Sequence, residues 1–335
     1  MIYRLLTYFF SSLLTILPLL ITMAYYTLLE RKVMASLQRR YGPNRNGPWG
    51  LLQPILDGLK LLTSEIIVPT KANFWLFHLG PALTMSITFT FWAIVPFSFG
   101  ASILTSDYGL LILFTFSSMN VYSIVIAGWA SNSKYALLGA IRAIAQMISY
   151  ELILGVIIMT VLLATGSLNF TLIVQHQHLT TWLCFPLLPI VSMTYVVLLA
   201  ETNRVPFDLP EAEAELVAGY NVEYSSITFA LFFLGEYCSM VTMSAIMIIL
   251  FFGGWLPLFS CFAFVPASFI LATKTIIFCI LFIIVRALLP RYRFDQLIHL
   301  GWHMYLPFSF GYLVFLMGLL KVTNSLPLSP HYMYH

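Results

Sequence analysis

Charge is scarce in this sequence. Asp, Glu, Lys and Arg make up 9% of the 335 residues, where a soluble protein carries about a quarter, so an independent soluble domain is excluded. Cysteine is equally sparse: Cys184, Cys238, Cys261 and Cys279 lie far apart with no C-x-x-C. That spacing argues against an iron–sulfur cluster or structural zinc held by this chain alone. No basic block interleaves with aromatics, and a net charge of +3 gives no reason to expect nucleic acid. No span carries a deep histidine for haem; His78, His299 and His303 lie near span ends, and His176 and His178 lie in a loop. Gly42-Pro-Asn-Arg-Asn-Gly47 imitates the start of a P-loop, but Pro48-Trp49 follows where Lys-Ser/Thr is required. Internal repeats and low-complexity tracts are absent too.

What remains is apolar. Hydrophobic residues make up 60% of the chain, mean hydropathy is +0.91, and several runs exceed the ~18 residues of a candidate spanning helix. The expected fold is all-α: one polytopic transmembrane domain over 1–335, with eight spans at about 5–29, 75–98, 109–129, 136–165, 183–200, 225–252, 267–289 and 304–321. The first run is too long for a signal h-region, and no small-x-small cleavage site precedes Glu30, so it reads as a retained span. Thirteen of the 16 basic residues fall in or beside the connections after the odd-numbered spans; Arg4, Lys274 and Lys321 are the exceptions. The positive-inside rule therefore places the loops at about 30–74, 130–136, 201–224 and 290–303 on the inner side. Within the first, Leu51, Leu52, Ile55, Leu56, Leu59 and Leu62 share one helical face, with Pro48 suited to a first position. This predicts a short amphipathic helix in the interfacial plane, either a surface anchor or a ligand gate.

Against this background the run from Glu201 to Tyr224 stands out. It holds six of the 13 carboxylates, namely Glu201, Asp208, Glu211, Glu213, Glu215 and Glu223, answered by Arg204. An N-cap at Asp208 with a capping-box Glu211 accounts for two of them and leaves the other four unexplained. Further carboxylates interrupt apolar spans: Glu151 near the middle of the fourth and Glu236 in the sixth. A charge at a span centre costs ~2.5–3.5 kcal/mol on insertion scales, so such residues face a wet or protein-lined cavity. Each is a candidate for a proton or ligand pathway, or else a paired Glu holding helices together. Carboxyl groups within reach of one another would titrate as a coupled set.

Several stretches together resemble one family. They include Glu30-Arg31-Lys32, Gly42-Pro-Asn-Arg-Asn-Gly47-Pro, Leu-Gln53-Pro-Ile-Leu-Asp57-Gly, Ser131-Asn-Ser-Lys134-Tyr, Ser149-Tyr-Glu151, the acidic run itself and Pro290-Arg-Tyr-Arg293-Phe-Asp295-Gln-Leu. Over essentially its whole length the chain resembles subunit 1 of the membrane arm of respiratory NADH:quinone oxidoreductase, complex I. The resemblance implies a quinone-access tunnel, approached by Arg31, Asp57, Phe207, Arg286 and Arg291, and an acidic channel of Glu151, Glu201, Asp208, Glu211, Glu213, Glu215, Glu223 and Glu236 that couples quinone reduction to proton translocation. It implies ubiquinone as substrate, with catalysis only in the assembled complex and no cofactor bound by this chain alone; FMN, the iron–sulfur clusters and the NADH site are expected in partner subunits of both arms. It also implies membrane lipid as surroundings, in the mitochondrial inner membrane or a bacterial plasma membrane. One departure is visible: Trp302-His303 stands where the family usually has Trp-Lys, exchanging a permanent cation for a group that titrates near neutrality. The competing readings are a proton- or cation-coupled transporter, the related subunit of energy-converting hydrogenases, and a purely structural anchor.

Overall fold

The computed structural model describes residues 2–209, 219–258 and 264–324, with side chains from residue 12 onward. Its order is α1 (Ile2–Leu37), a 3-10 turn (Pro48–Gly50), α2 (Gln53–Thr63), α3 (Phe74–Phe91), α4 (Gly109–Ala130), α5 (Lys134–Thr165), α6 (Phe170–Leu179), α7 (Leu188–Glu201), a 3-10 turn (Gly219–Asn221), α8 (Ser226–Phe251), α9 (Ala267–Leu288) and α10 (Phe294–Val322). Residues Leu300–Tyr305 of α10 are π-helical. Seven of these helices, α1, α3, α4, α5, α8, α9 and α10, are long and apolar enough to cross a membrane. The eighth expected span is the 14-residue α7, short of the ~20 residues a perpendicular crossing needs. Pro189 fixes its first turn, where a missing N–H costs nothing.

The core sits on α8, whose most apolar window is 72% buried, against 6% for α10. Small residues let the neighbouring helices close on one another. A Cβ on Gly128 would meet Ala140 Cβ at 2.3 Å, and one on Gly80 would meet Ala127 Cβ at 3.2 Å, the close approach expected where packing rather than solvent exclusion joins helices. α5 is bounded by its caps: Ser133 Oγ accepts from Ala136 N at 3.3 Å, and Gly166 ends the helix at φ +70°.

The C-terminus of α8 is closed by side chains from two other helices. Lys274 on α9 donates to Phe252 O, Gly254 O and Leu256 O at 2.8, 2.9 and 2.7 Å. Gln177 on α6 donates to Ile249 O and Leu250 O at 3.0 Å each and accepts from Gly253 N at 2.8 Å. A cation beside the exposed carbonyls also opposes the negative end of the helix dipole. Lys274 is thereby explained as a cap rather than a loop charge.

Several boundaries differ from the sequence expectation: α3 ends at Phe91 rather than near residue 98, α7 starts at Leu188 rather than near 183, α10 starts at Phe294 rather than near 304, and His176 and His178 lie on α6 rather than in a loop. α1 runs on to Leu37 instead of ending near residue 29, so Glu30, Arg31 and Lys32 are helical; Glu30 is buried and both Glu30 and Arg31 are ion-paired, which offsets their desolvation. The amphipathic helix does not begin at Pro48, which opens a separate 3-10 turn, and α2 starts at Gln53. A Cβ on Gly50, at φ +75°, would lie 2.2 Å from Pro43 O, so this turn requires glycine. α2 is turned apolar face outward: Ile55, Leu56, Leu59 and Leu62 are exposed, while Asp57 takes hydrogen bonds from Arg31 and Gln53 at 2.8 Å each. That orientation suits a helix lying against lipid.

Candidate functional site

The C-terminal ends of α1 and α9 and the first half of α8 converge with the start of the 201–224 loop around Glu30. Its carboxylate accepts from Arg286 Nη1 of α9 and, at 2.7 Å, from the Tyr237 hydroxyl of α8; Arg204 Nη1 lies 3.6 Å away. The Arg204 guanidinium also sits over the Tyr237 ring, 4.8 Å from its centroid. The Glu30 and Arg204 side chains are 8% and 10% exposed and Arg286 31%, so this ionic knot is buried on its Arg204 side and open on its Arg286 side. Arg204 therefore serves more than the acidic run in which it occurs.

Beside the knot, Asp208 pairs with Arg291 at 3.0 Å, and Tyr292 N donates to Pro206 O at 3.1 Å. The loop is thus stitched to the segment after α9. Phe207 is buried between Tyr150 and Tyr292, each ring centroid 5.6 Å from its own. Arg31 and Asp57 form a half-exposed pair at 2.8 Å under α2. Ser226 Oγ donates to Leu61 O and Ser64 O at 2.9 and 2.8 Å, tying α2 to the start of α8.

Deeper in the bundle lie Glu151 on α5, Glu201 at the end of α7 and Glu236 on α8. Glu201 is 5% exposed, its Oε2 has no hydrogen-bond partner among the described residues, and Glu151 acts on it electrostatically through space. Glu201 lines two small cavities of about 20 Å³ each. One is bounded by Tyr220, Asn203, Thr84 and Glu236; the other by Thr88, Ser117, Thr242 and Phe116; Asn120 and Ser239 line both. A void of ~10–15 Å³ or more with polar partners holds a water, so each cavity has room for one, and Glu201 stands at the joint. Glu236 is reached from the other side of the first cavity, where the Tyr220 hydroxyl donates to it at 2.6 Å.

The Tyr220 turn is held by close packing. A Cβ on Gly139 of α5 would lie 2.9 Å from Gly219 Cα, Gly219 C and Tyr220 N. Gln146 donates to Ala200 O at 2.8 Å and Asn203 Oδ1 at 3.1 Å, fixing the end of α7 and with it Glu201.

Of the residues singled out from the sequence, the structure brings Glu201 together with Glu151 and Glu236, and sets Asp208, Phe207, Arg286 and Arg291 around the converging loop ends. Glu223 is half-buried just past the Gly219–Asn221 turn. Glu211, Glu213 and Glu215 lie outside the described residues, as does the helix that Asp208 was expected to cap. Glu30, Tyr237, Tyr220 and Asn120 were not singled out. Arg286, a charge near the end of an apolar span, was the signal for Glu30, since such a group needs a partner. His299 and His303 stack with centroids 4.6 Å apart.

A model of the NADH dehydrogenase family matches residues 10–317. The chain is 52% identical over 314 residues to NADH-ubiquinone oxidoreductase chain 1 of Arabidopsis thaliana, an alignment covering 93% of this chain and 96% of the relative. It is 52% identical over 314 residues to the protein of the same name from Chondrus crispus, with the same coverage. To a bacterial relative, an NADH-quinone oxidoreductase subunit of Rickettsia prowazekii, it is 51% identical over 315 residues, covering 92% of each. With a family match and relatives of this identity along nearly the whole of its length, the chain belongs to the NADH dehydrogenase family.

Proposed function

We propose that this chain is the core membrane subunit of an NADH:ubiquinone oxidoreductase, in a mitochondrial inner membrane or a bacterial plasma membrane, and that it couples quinone reduction to proton translocation through its carboxylates. The observation that carries the reading is Glu201: a buried carboxyl whose Oε2 has no hydrogen-bond partner among the described residues and which lines two water-sized cavities. Nothing about helix packing requires such a group. A proton relay does require it, because a carboxyl with a free lone pair between two waters can accept a proton from one and give it to the other.

In this reading, quinone enters past α2 and the Arg31–Asp57 pair and is reduced near the Glu30–Arg204–Arg286 knot and the Asp208–Arg291 pair, with Phe207 packed behind them. The residues there hold and orient charge; the electrons come from clusters in partner subunits. Reduction changes the charge at that end. Two unit charges ~6 Å apart interact by ~3 kcal/mol at an effective dielectric of 20, enough to redistribute protons among neighbouring carboxyls. Glu211, Glu213, Glu215 and Glu223 carry the change along the loop, and Tyr220, Glu236, Glu201 and Glu151 carry it into the membrane.

The test is Glu201→Gln in the assembled complex reconstituted into sealed vesicles. Glutamine keeps the shape and cannot release a proton. Quinone reductase activity should fall together with proton uptake by at least tenfold, below even the ~100-fold low end of what a general acid–base group contributes. Near-normal coupled turnover would overturn the reading.

A further inference from the structure

A second polar recess opens at the inner membrane end, between the start of α3, the end of α4 and the start of α5. It is a cleft of about 400 Å³ whose polar lining includes Lys71, Asn73, Asn132, Ser133 and Lys134, with Trp129 alongside and no carboxylate among the described residues. Its walls are joined: Asn132 Nδ2 donates to Lys71 O at 3.2 Å, and Asn73 N donates to Ala130 O at 3.1 Å. Both lysines are exposed and neither has an ion-pair partner among the described residues. The quinone-tunnel and proton-coupling assignments use none of these groups.

Two further features mark the depth of the cleft. Trp75, Trp129 and Tyr135 are 81%, 70% and 58% exposed around it, the amphipathic rings expected at headgroup level. Below it, Leu137, Leu138, Ile141 and Ile148 leave an exposed apolar strip along α5. A cationic recess continuous with an apolar strip matches a molecule that is an anion at one end and hydrocarbon at the other. We propose that the cleft binds the phosphate headgroup of an anionic phospholipid of the inner leaflet, with its acyl chains laid along α5. Basic pockets between spanning helices on the inner side take such headgroups. A free phosphate would use the lysines and leave the strip unused, and an acidic peptide would have no reason to follow it into the hydrocarbon. The proposal needs only that the chain spans a membrane, so it stands or falls apart from the proton-coupling reading.

The experiment places the assembled complex in phosphatidylcholine nanodiscs containing a photoactivatable phosphatidylglycerol, and maps the label by peptide. The segment 129–138 should be labelled. Unlabelled phosphatidylglycerol should displace the label, whereas added phosphatidylcholine or inorganic phosphate should not. In the Lys71→Gln/Lys134→Gln variant, labelling at limiting lipid should fall about thirtyfold, from roughly fivefold per lysine near an anionic surface. Should the variant fail to assemble, displacement in the wild-type complex decides. Labelling confined to other segments, equal displacement by phosphatidylcholine, displacement by phosphate, labelling undiminished in an assembled variant, or Lys134 cross-linked to an acidic segment of a partner subunit would each overturn it.

Discussion

Replacing Glu30 by Ala removes the anion on which two arginines and a tyrosine converge. The Arg204 side chain is 10% exposed and Arg286 31%, so Arg204 would lose its Glu30 carboxylate in a buried setting, whereas Arg286 could turn toward water. Removing one member of a buried pair costs about 3–5 kcal/mol, a large fraction of the ~5–15 kcal/mol by which a domain is stable. Glu30→Ala should therefore lower the amount of assembled complex on native gels and the temperature at which quinone reductase activity is lost. Glu30→Gln keeps an acceptor for the Tyr237 hydroxyl and should cost less, about 1.5–3 kcal/mol, as for a hydrogen bond to a charged group. Replacing both partners, Glu30→Met with Arg204→Met, removes the two most buried charges together and should be better tolerated than Glu30→Ala alone. Wild-type heat resistance and assembly in Glu30→Ala, or a double variant as damaged as the two single losses added together, would refute the idea that the knot is a desolvated ion pair.

Other consequences are more local. Gly139→Ala should force the Gly219–Asn221 turn away from α5, since the 2.9 Å contacts are all with backbone; coupled activity should fall severalfold while the isolated hydrophilic-arm reaction with an artificial acceptor is kept. Asp208→Asn should weaken the bond to Arg291 by about 1–3 kcal/mol, and faster amide exchange at Tyr292, which donates to Pro206 O, would report it. Lys274→Met should uncover three carbonyls at the end of α8 at a cost of about 3 kcal/mol or more, seen as faster hydrogen exchange over residues 249–256 with little change in quinone affinity.

The reach of sequence reasoning here follows the kind of force involved. Solid apolar runs report burial in lipid whatever the tertiary packing, so all-helical architecture was legible from hydropathy, as was the amphipathic face of α2. The end of α1 was not legible, because hydropathy drops at Glu30-Arg31-Lys32 while the helix continues on the strength of partners as distant in sequence as Asp57 and Arg286. Pro48 suits a helix start by local preference, yet the glycine at φ +75° two residues later ends that turn. Within the site, Glu151 and Glu236 announced themselves as charges in apolar spans. Glu201 sat at a span boundary, where exposure and burial look alike in a sequence, and only the fold makes it a junction of two cavities. Asn120 and Tyr220 carry no charge, so nothing in their neighbourhoods distinguished them from the many other polar residues of the spans.

Coupling through this chain requires Glu201 to change protonation when quinone is reduced. Redox-induced infrared difference spectra of the assembled complex, recorded in ordinary and heavy water, read that change in the carboxyl C=O stretch. The wild type should show a deuterium-sensitive carboxyl band that is missing in Glu201→Gln. The same band at full strength in the variant would contradict this requirement.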